Sequence, residues 1–554
     1  VRSYVLPFLG FVIVTAAIVP PTGDYPVVDD FFHARVVWET LAAGSYQPHP
    51  FIGSTFVLQA LWGLPFAALF GENFVALRIS TLVLAVAGMG AVAWGARGFG
   101  APRWAALLAG ATLWANPIFM HLSYSFMTDV PFFALIALST AAYAMGFKAD
   151  SARLIAVGTA LGFAAFFVRQ HGLGVVLAAW AAAIVSWVLY RDRLSTPAVL
   201  SLVLSSVTGC LIVYLYLLVY PMSETQGTWL TRGGEWTTGQ RLKWSSWYVV
   251  IALLYMGLFA LPLAAARIVQ VVRGDERWSW TSWLGVAALA ATLFAGSILL
   301  TRGMTRMPYA ADYLYDMGVG NITFTGTSQE HENFSVVSVG KYWWIPTMAA
   351  LGAGALLLRQ ALHFVWPFGR IAKEERPARR QGLFLLACLS AYIVGMLPFL
   401  PDAFNDRYML PALAPALMFM ARPLSRARGW WAKASGIAVL IALFFISLIM
   451  HQDYTALTKA RWQAYDWLIE EQNADPLTID GGYEYNGVYT MDEYVRRHDS
   501  KTFWDMGVTG YWLLHPEYAV DLVDRHGYEE IRRVPYFSWL GLETRAVRVF
   551  RKIG

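Results

Sequence analysis

Apolar runs recur along this chain, each near the ~20 residues that an α-helix needs to cross a ~30 Å hydrocarbon layer. They fall at 4–20, 74–96, 104–120, 130–147, 154–168, 172–190, 197–220, 246–270, 278–300, 342–358, 382–400, 409–421 and 434–450. The pattern predicts about thirteen transmembrane helices. A further run, 53–70, is interrupted by Gly53, Gly63 and Pro65 and reads as a juxtamembrane or half-inserted helix. Directly after the first run, Phe31, Ala34, Val37 and Leu41 recur at helical spacing, so a surface helix is expected there. Asp29 or Asp30 stands where its N-cap would be.

Past residue 451 the periodicities change. Trp462, Tyr465, Trp467 and Leu468 give the stretch 456–472 a helical face, and Leu477–Ile479, Tyr511–Leu514 and Ala546–Phe550 read as short strands. The chain is therefore expected to divide into a membrane domain, 1–451, and a small α/β domain outside the membrane, 452–554. About 100 residues suffice for one core.

Composition agrees with this class. Of 554 residues, 57% are hydrophobic and 14% charged, against about a quarter charged in soluble domains. Disorder, a fibre and a disulfide scaffold are excluded. Cys210 and Cys388 both lie inside apolar runs, so a structural disulfide is not expected. The net charge of +5 is unevenly placed. With the N-terminus inside, the segments 97–103, 148–153, 191–193, 267–277, 359–380 and 422–433 plus Arg2 hold about 20 basic and 6 acidic residues, against about 10 and 14 in the opposite loops. That asymmetry predicts an N-terminus in the cytoplasm and a C-terminus outside. The basic balance then reports topology rather than nucleic-acid binding. No small-x-small cleavage site follows run 4–20 before Asp24, so an uncleaved first span is expected.

Ionisable residues at the mouths of spans are costly and therefore informative. Asp29 and Asp30 open the surface helix, with an N-cap as the plain reading. Asp129 begins the fourth run, two residues before Pro131, where a cap is again the plain reading. Val168-Arg169-Gln170-His171-Gly172 is a polar knot between two apolar stretches, and its plain reading is an interhelical salt bridge. Arg407, in Asn405-Asp406-Arg407-Tyr408, enters a span and otherwise snorkels. The loops near 221–245 and 301–341, with Trp229, Arg232, Trp236, Arg302, Arg306 and Lys341, are long enough for a lid.

In order along the chain, Asp29-Asp30, His49-Pro50, the stretch 70–80, Ser125-Phe-Met-Thr-Asp129-Val-Pro and Asp406-Arg-Tyr-Met-Leu-Pro resemble the GT-C superfamily of polyprenyl-phosphate-sugar glycosyltransferases. The likeness is nearest to the bacterial branch of lipid A aminoarabinose transferases and protein O-mannosyltransferases. It covers residues 1–190 and resumes at Arg407. The chain departs from that branch in carrying Asp29-Asp30 where Asp-Glu is common, His33 at an aromatic position, and His49-Pro50-Phe51 for histidine-proline-proline.

The resemblance implies a GT-C-like membrane enzyme of the bacterial cytoplasmic membrane with a periplasmic C-terminal domain. Its donor is a hexose or pentose on polyprenyl phosphate and its acceptor a glycan, lipid or protein. It implies Asp29 as base with Asp30 as second choice, and Asp129 as an orienting acid. Arg407 and Arg169 would bind phosphate, with His171, His49 and Tyr408 as further substrate contacts. No cofactor is assigned. Related oligosaccharyltransferases use a divalent ion, for which Asp29, Asp30 and Asp129 are the acids at hand, but no His/Cys cluster of ligand spacing exists. The rival reading is a transporter or flippase for a lipid-linked saccharide. It would call for internal repeats and midplane charges rather than charges gathered at one face.

Overall fold

The structure is a computed structural model that describes residues 2–231, 237–300, 306–309, 313–325, 340–365, 373–395, 405–499 and 511–553. Among the described residues, each apolar run of the sequence is mostly helical. Among the described residues, eight helices are long and apolar enough to cross a membrane, and nine spans result if one bent pair is counted as a single span. Ser3–Ile18, Val57–Phe70, Ala152–Phe166 and Leu261–Val272 are shorter apolar helices. The chain is thus a multi-pass membrane protein, and its helices do not by themselves fix the count of thirteen.

Two runs break where proline removes a backbone donor. The run 104–120 becomes Arg103–Trp114 and Pro117–Ser123, bent by 68°. Asn116 caps the second piece by accepting from the Ile118 and Phe119 N–H groups, with Pro117 in its first turn. The run 246–270 becomes Thr238–Phe259 and Leu261–Val272, because Pro262 cannot donate across the joint at Ala260. Thr237 and Gln240 form a capping box that starts the first of these earlier than the apolar run does.

Burial sorts the helices. In Asp129–Ala149, 83% of the span window is buried, whereas in Thr196–Val219 only 11% is. The first is the central helix and the second a lipid-facing one. The central helix carries Asp129 as its first residue, which takes that carboxylate into the interior.

Helix Trp430–Asp466 passes without interruption from the membrane segment into the C-terminal region. There Ala460, Ala464 and Leu468 pack against Ile479, Val520, Val534, Val547 and Val549. These valines and isoleucine belong to a four-stranded sheet in the order Ile479–Asp480, Tyr518–Asp521, Glu543–Lys552, Tyr528–Ser538. The first pair is parallel and the others are antiparallel. The strand expected at 511–514 is not one. Trp512 has φ 51°, a left-handed value that a strand does not accept, and the strand begins at Tyr518 instead.

Candidate active site

Asp29 stands at the N-cap position of helix Asp30–Ala43 but makes no capping hydrogen bond. Its Oδ1 accepts instead from the Tyr483 hydroxyl at 2.6 Å. Tyr483 is held by Trp512, whose buried ring stacks on it at 5.3 Å and meets Phe31 and Phe32 edge-on.

Asp30, its chain neighbour, faces the other way. It is fully buried, and its carboxylate accepts from the N–H groups of Phe126 at 2.9 Å and Val27 at 3.4 Å. It joins the first loop to the one before the central helix. Burial pushes its carboxyl up to about 7 against the opposing pull of Arg78. Neither aspartate caps the helix as expected.

The loop leading to Asp29 is clamped from behind. Arg78 donates to the carbonyl oxygens of Gly23, at 2.7 Å, and Tyr25, and lies over the Tyr25 ring at 4.7 Å. Asp24 accepts from the Phe74 N–H at 2.8 Å. Val28 has φ 53°, a costly value for a β-branched residue, and its N–H donates to Glu484. The stretch 70–80 therefore serves the site by holding the segment that presents Asp29.

Deeper in lies an ion cluster. Arg169 Nη1 donates to Asp129 Oδ1 at 2.9 Å, and Arg407 Nη1 lies 3.8 Å from Asp129 Oδ2. The interhelical salt bridge weighed for Arg169 is present. Arg407 does not snorkel: it is buried, donates to the Tyr313 hydroxyl at 3.1 Å and lies over that ring. Tyr408 takes a guanidinium on its ring from both Arg169, at 5.3 Å, and Arg407, at 5.4 Å. Asp29 and Asp129 are both within electrostatic reach of Arg407.

The knot that aims Arg169 is a tight turn, Gln170–Gly172, between two helices. A Cβ on Gly172 would sit 2.2 Å from the Phe166 nitrogen, so only glycine closes it. The backbone N–H groups of Phe56 and Leu58 donate to Val168 and Phe167, tying the loop before Val57–Phe70 to the same turn. His171 lies in this turn within electrostatic reach of Arg169. His49 stands apart, with Nδ1 accepting from the Phe51 N–H and its ring against Phe32 at 5.1 Å. Burial, then Arg35, lowers His49 to about 4.

The three aspartates do not converge on one point. Asp30 is spent on backbone donors and Asp129 on two arginines, and among the described residues no group of three His, Cys, Asp or Glu side chains is placed to hold a metal. The residues present therefore do not fit the divalent ion that related oligosaccharyltransferases use. Of the loop residues singled out from the sequence, Arg232, Trp236 and Arg302 lie outside the described residues.

No family model matches the chain, and no curated protein matches it. Among solved structures, it is similar to ArnT from Cupriavidus metallidurans in the apo state, at 13% identity and TM-score 0.38 over 98% of each chain. It is likewise similar to the same protein bound to undecaprenyl phosphate, at 13% identity and TM-score 0.38, over 99% of this chain and 98% of that one. A third is the archaeal oligosaccharyltransferase AglB from Archaeoglobus fulgidus, in complex with an inhibitory peptide and a dolichol-phosphate. That likeness has 12% identity and TM-score 0.37, over 92% of this chain and 60% of that one.

Three residues at the site were not among the candidates of the sequence reading, although His33 was noted as a departure within the first motif. Tyr483 and Tyr313 are aromatics in regions with no periodic signal, and nothing local marks them as partners of Asp29 and Arg407. His33 is buried against Phe56 at 4.5 Å. Burial, then Arg169, lowers it to about 3, so it is neutral at physiological pH. Its place in the first motif was the available signal. Among the described residues, His33 Nδ1, Asp129 Oδ2 and Arg407 Nε have no hydrogen-bond partner. Two guanidinium groups against one interior carboxylate leave an excess positive charge beside Asp29. An anionic ligand group would meet the charge and accept from the idle Arg407 Nε–H.

Proposed function

We propose that this chain is a membrane glycosyltransferase that moves a sugar from a polyprenyl-phosphate donor to an acceptor hydroxyl or phosphate at the outer face of the cytoplasmic membrane. The observation that carries the reading is the juxtaposition of a Tyr483-held carboxylate, Asp29, with a buried Asp129–Arg169–Arg407 cluster of net positive charge. The resemblance of the motifs at Asp29, Asp129 and Arg407 points the same way. The membrane setting suits a donor whose lipid tail stays in the bilayer.

In this reading Arg169 and Arg407 hold the donor phosphate and stabilise the lipid phosphate as it leaves. Tyr408 and His171 line the same place, and His49 lies toward the acceptor. The acceptor oxygen forms a bond to the anomeric carbon as the bond to the phosphate oxygen breaks, and Asp29 takes the acceptor proton. Attack opposite the leaving group inverts the anomeric centre. A carboxylate of ordinary basicity suffices, because the hydroxyl acidifies as the oxocarbenium-like transition state develops. Tyr483, donating to Oδ1, orients Asp29 and leaves its other oxygen for the acceptor. Asp129 orients the arginines. Residues 1–451 form the catalytic membrane domain and 452–554 an extracytoplasmic domain that lends Tyr483 to the site.

The test is turnover of a polyprenyl-phosphate sugar by purified protein. Release of free lipid phosphate with transfer of the sugar is expected, and Asp29→Asn should lower it by about 10²–10⁴-fold while donor binding persists. Near-normal turnover in that variant would remove Asp29 as base. Movement of the intact donor across proteoliposomes without cleavage would favour a flippase.

A further inference from the structure

The C-terminal hairpin is a candidate membrane contact. Strands Tyr528–Ser538 and Glu543–Lys552 are joined by Trp539-Leu540-Gly541-Leu542, and exposed Phe537 and Leu542 flank that turn, whereas exposed Ile531 and Ile553 lie toward the other end. Leu542 is 78% exposed and Phe537 51%, with Trp539 and Leu540 half-buried between them. Apolar side chains in a tight turn outside the core call for a partner.

The partner's place follows from helix Trp430–Asp466. Ile441, Phe445 and Ile446 on this helix are exposed apolar residues in a stretch, 434–450, without a single charge. This is the bilayer-facing part. Asp453 is the first acidic residue beyond it, about 10 Å further along the axis than Ile446. Its carboxylate accepts from Ser538 Oγ at 2.8 Å and from the Trp539 N–H at 2.7 Å. The turn is thereby fastened at the level where the headgroup layer begins.

The direction of the hairpin is also fixed. Arg532 lies over Trp467 at 4.5 Å. Asp453 and Trp467 are about 21 Å apart along the helix, and Ser538 and Arg532 about 20 Å apart along the strand. The strand therefore runs beside the helix, antiparallel to it, with the turn at the membrane end. Addition of another strand is discouraged, because the edge strand carries Pro535 and a bulge between Glu530 and Arg532.

We propose that Phe537, Trp539 and Leu542 dip into the lipid leaflet on the side of the C-terminal domain and pin that domain to the bilayer. Glu543 and Arg545 directly follow the turn and limit the insertion to the interface. By fixing the height of the sheet, the contact would fix that of the domain carrying Tyr483.

The test uses the full chain in phosphatidylcholine nanodiscs, with the exposed Cys210 replaced by serine and an environment-sensitive fluorophore on Leu542→Cys or, as control, Glu529→Cys. The label at 542 should be quenched by lipids bearing a shallow nitroxide and shielded several-fold from aqueous iodide, and the label at 529 should show neither effect. Adding Phe537→Asp should return the label at 542 toward iodide access. Equal iodide access at both positions overturns the proposal. So does shielding at 542 without nitroxide quenching, which would mean a protein neighbour. Failure of the chain to enter nanodiscs would instead remove the membrane-spanning reading on which the proposal rests.

Discussion

Asp29 and Asp30 are neighbours in the chain and opposites in environment. One carboxylate meets a phenol beside an ion cluster, and the other is sealed among backbone donors. For Tyr483→Phe, loss of the donor to Asp29 should lower turnover at saturating substrate by roughly tenfold with little change in thermal stability, since the ring stack on Trp512 survives. Unchanged turnover would separate Tyr483 from the proposed role of Asp29. Asp30 carries a pH prediction. Its folded value of about 7 lies above the ~4 of an unfolded chain, so the folded state binds the extra proton. Ionising Asp30 therefore costs stability as pH rises from 4 to 7, by roughly 4 kcal/mol at most, with no further change above 7. In Asp30→Asn that dependence disappears. The stability of the variant relative to the parent should climb from pH 5 to 7 and then level off in denaturant titrations. Parallel curves would mean that Asp30 stays ionised in the folded protein.

Elements were legible where pattern alone decides them. The apolar runs became helices because a bilayer-length stretch without charge has few alternatives. Breaks at Asn116-Pro117 and Leu261-Pro262 were written in the chain as capping residues and missing donors, although hydropathy passes over them. Contacts between helices were not legible, since every face of such a helix is apolar. Gly257 is an example. A Cβ there would lie 2.2 Å from the Ala350 carbonyl oxygen and 2.7 Å from the Gly354 nitrogen, both of them backbone atoms that cannot step aside. Gly257→Val should prise Thr238–Phe259 from Trp344–Val365 and cost about 3 kcal/mol. Unfolding in detergent, followed by tryptophan emission, would measure it. An unaltered midpoint would mean that the two helices separate freely.

At the scale of the molecule, the site depends on joining the C-terminal domain to the loops. Arg461, on the long helix, pairs with Glu484 at 2.8 Å and donates to the Gly481 carbonyl at 2.5 Å, while Glu484 also receives Thr323 and the Val28 N–H. Every partner in this knot is buried or nearly so. Arg461→Ala strands the Glu484 charge and should cost about 3–5 kcal/mol, with turnover falling because Tyr483 adjoins Glu484. Arg461→Met with Glu484→Gln should recover most of the stability. A single variant as stable as the parent would show that the knot is solvated.

The sequence by itself determined the solvent of each segment. Hydropathy is additive along the chain, so the helices and the change of character toward the C-terminal sheet could be read from it. The fold brings the motif positions Asp129, Arg169 and Arg407 into one ion cluster, with Asp29 within electrostatic reach of Arg407. Only the tertiary structure decided which carboxylate is sealed among backbone donors and which meets a phenol. That choice rests on partners hundreds of residues away, such as Tyr483 for Asp29 and Phe126 for Asp30. A hydrogen bond made across the fold leaves no period in the sequence, and its direction exists only once the backbone has placed both ends.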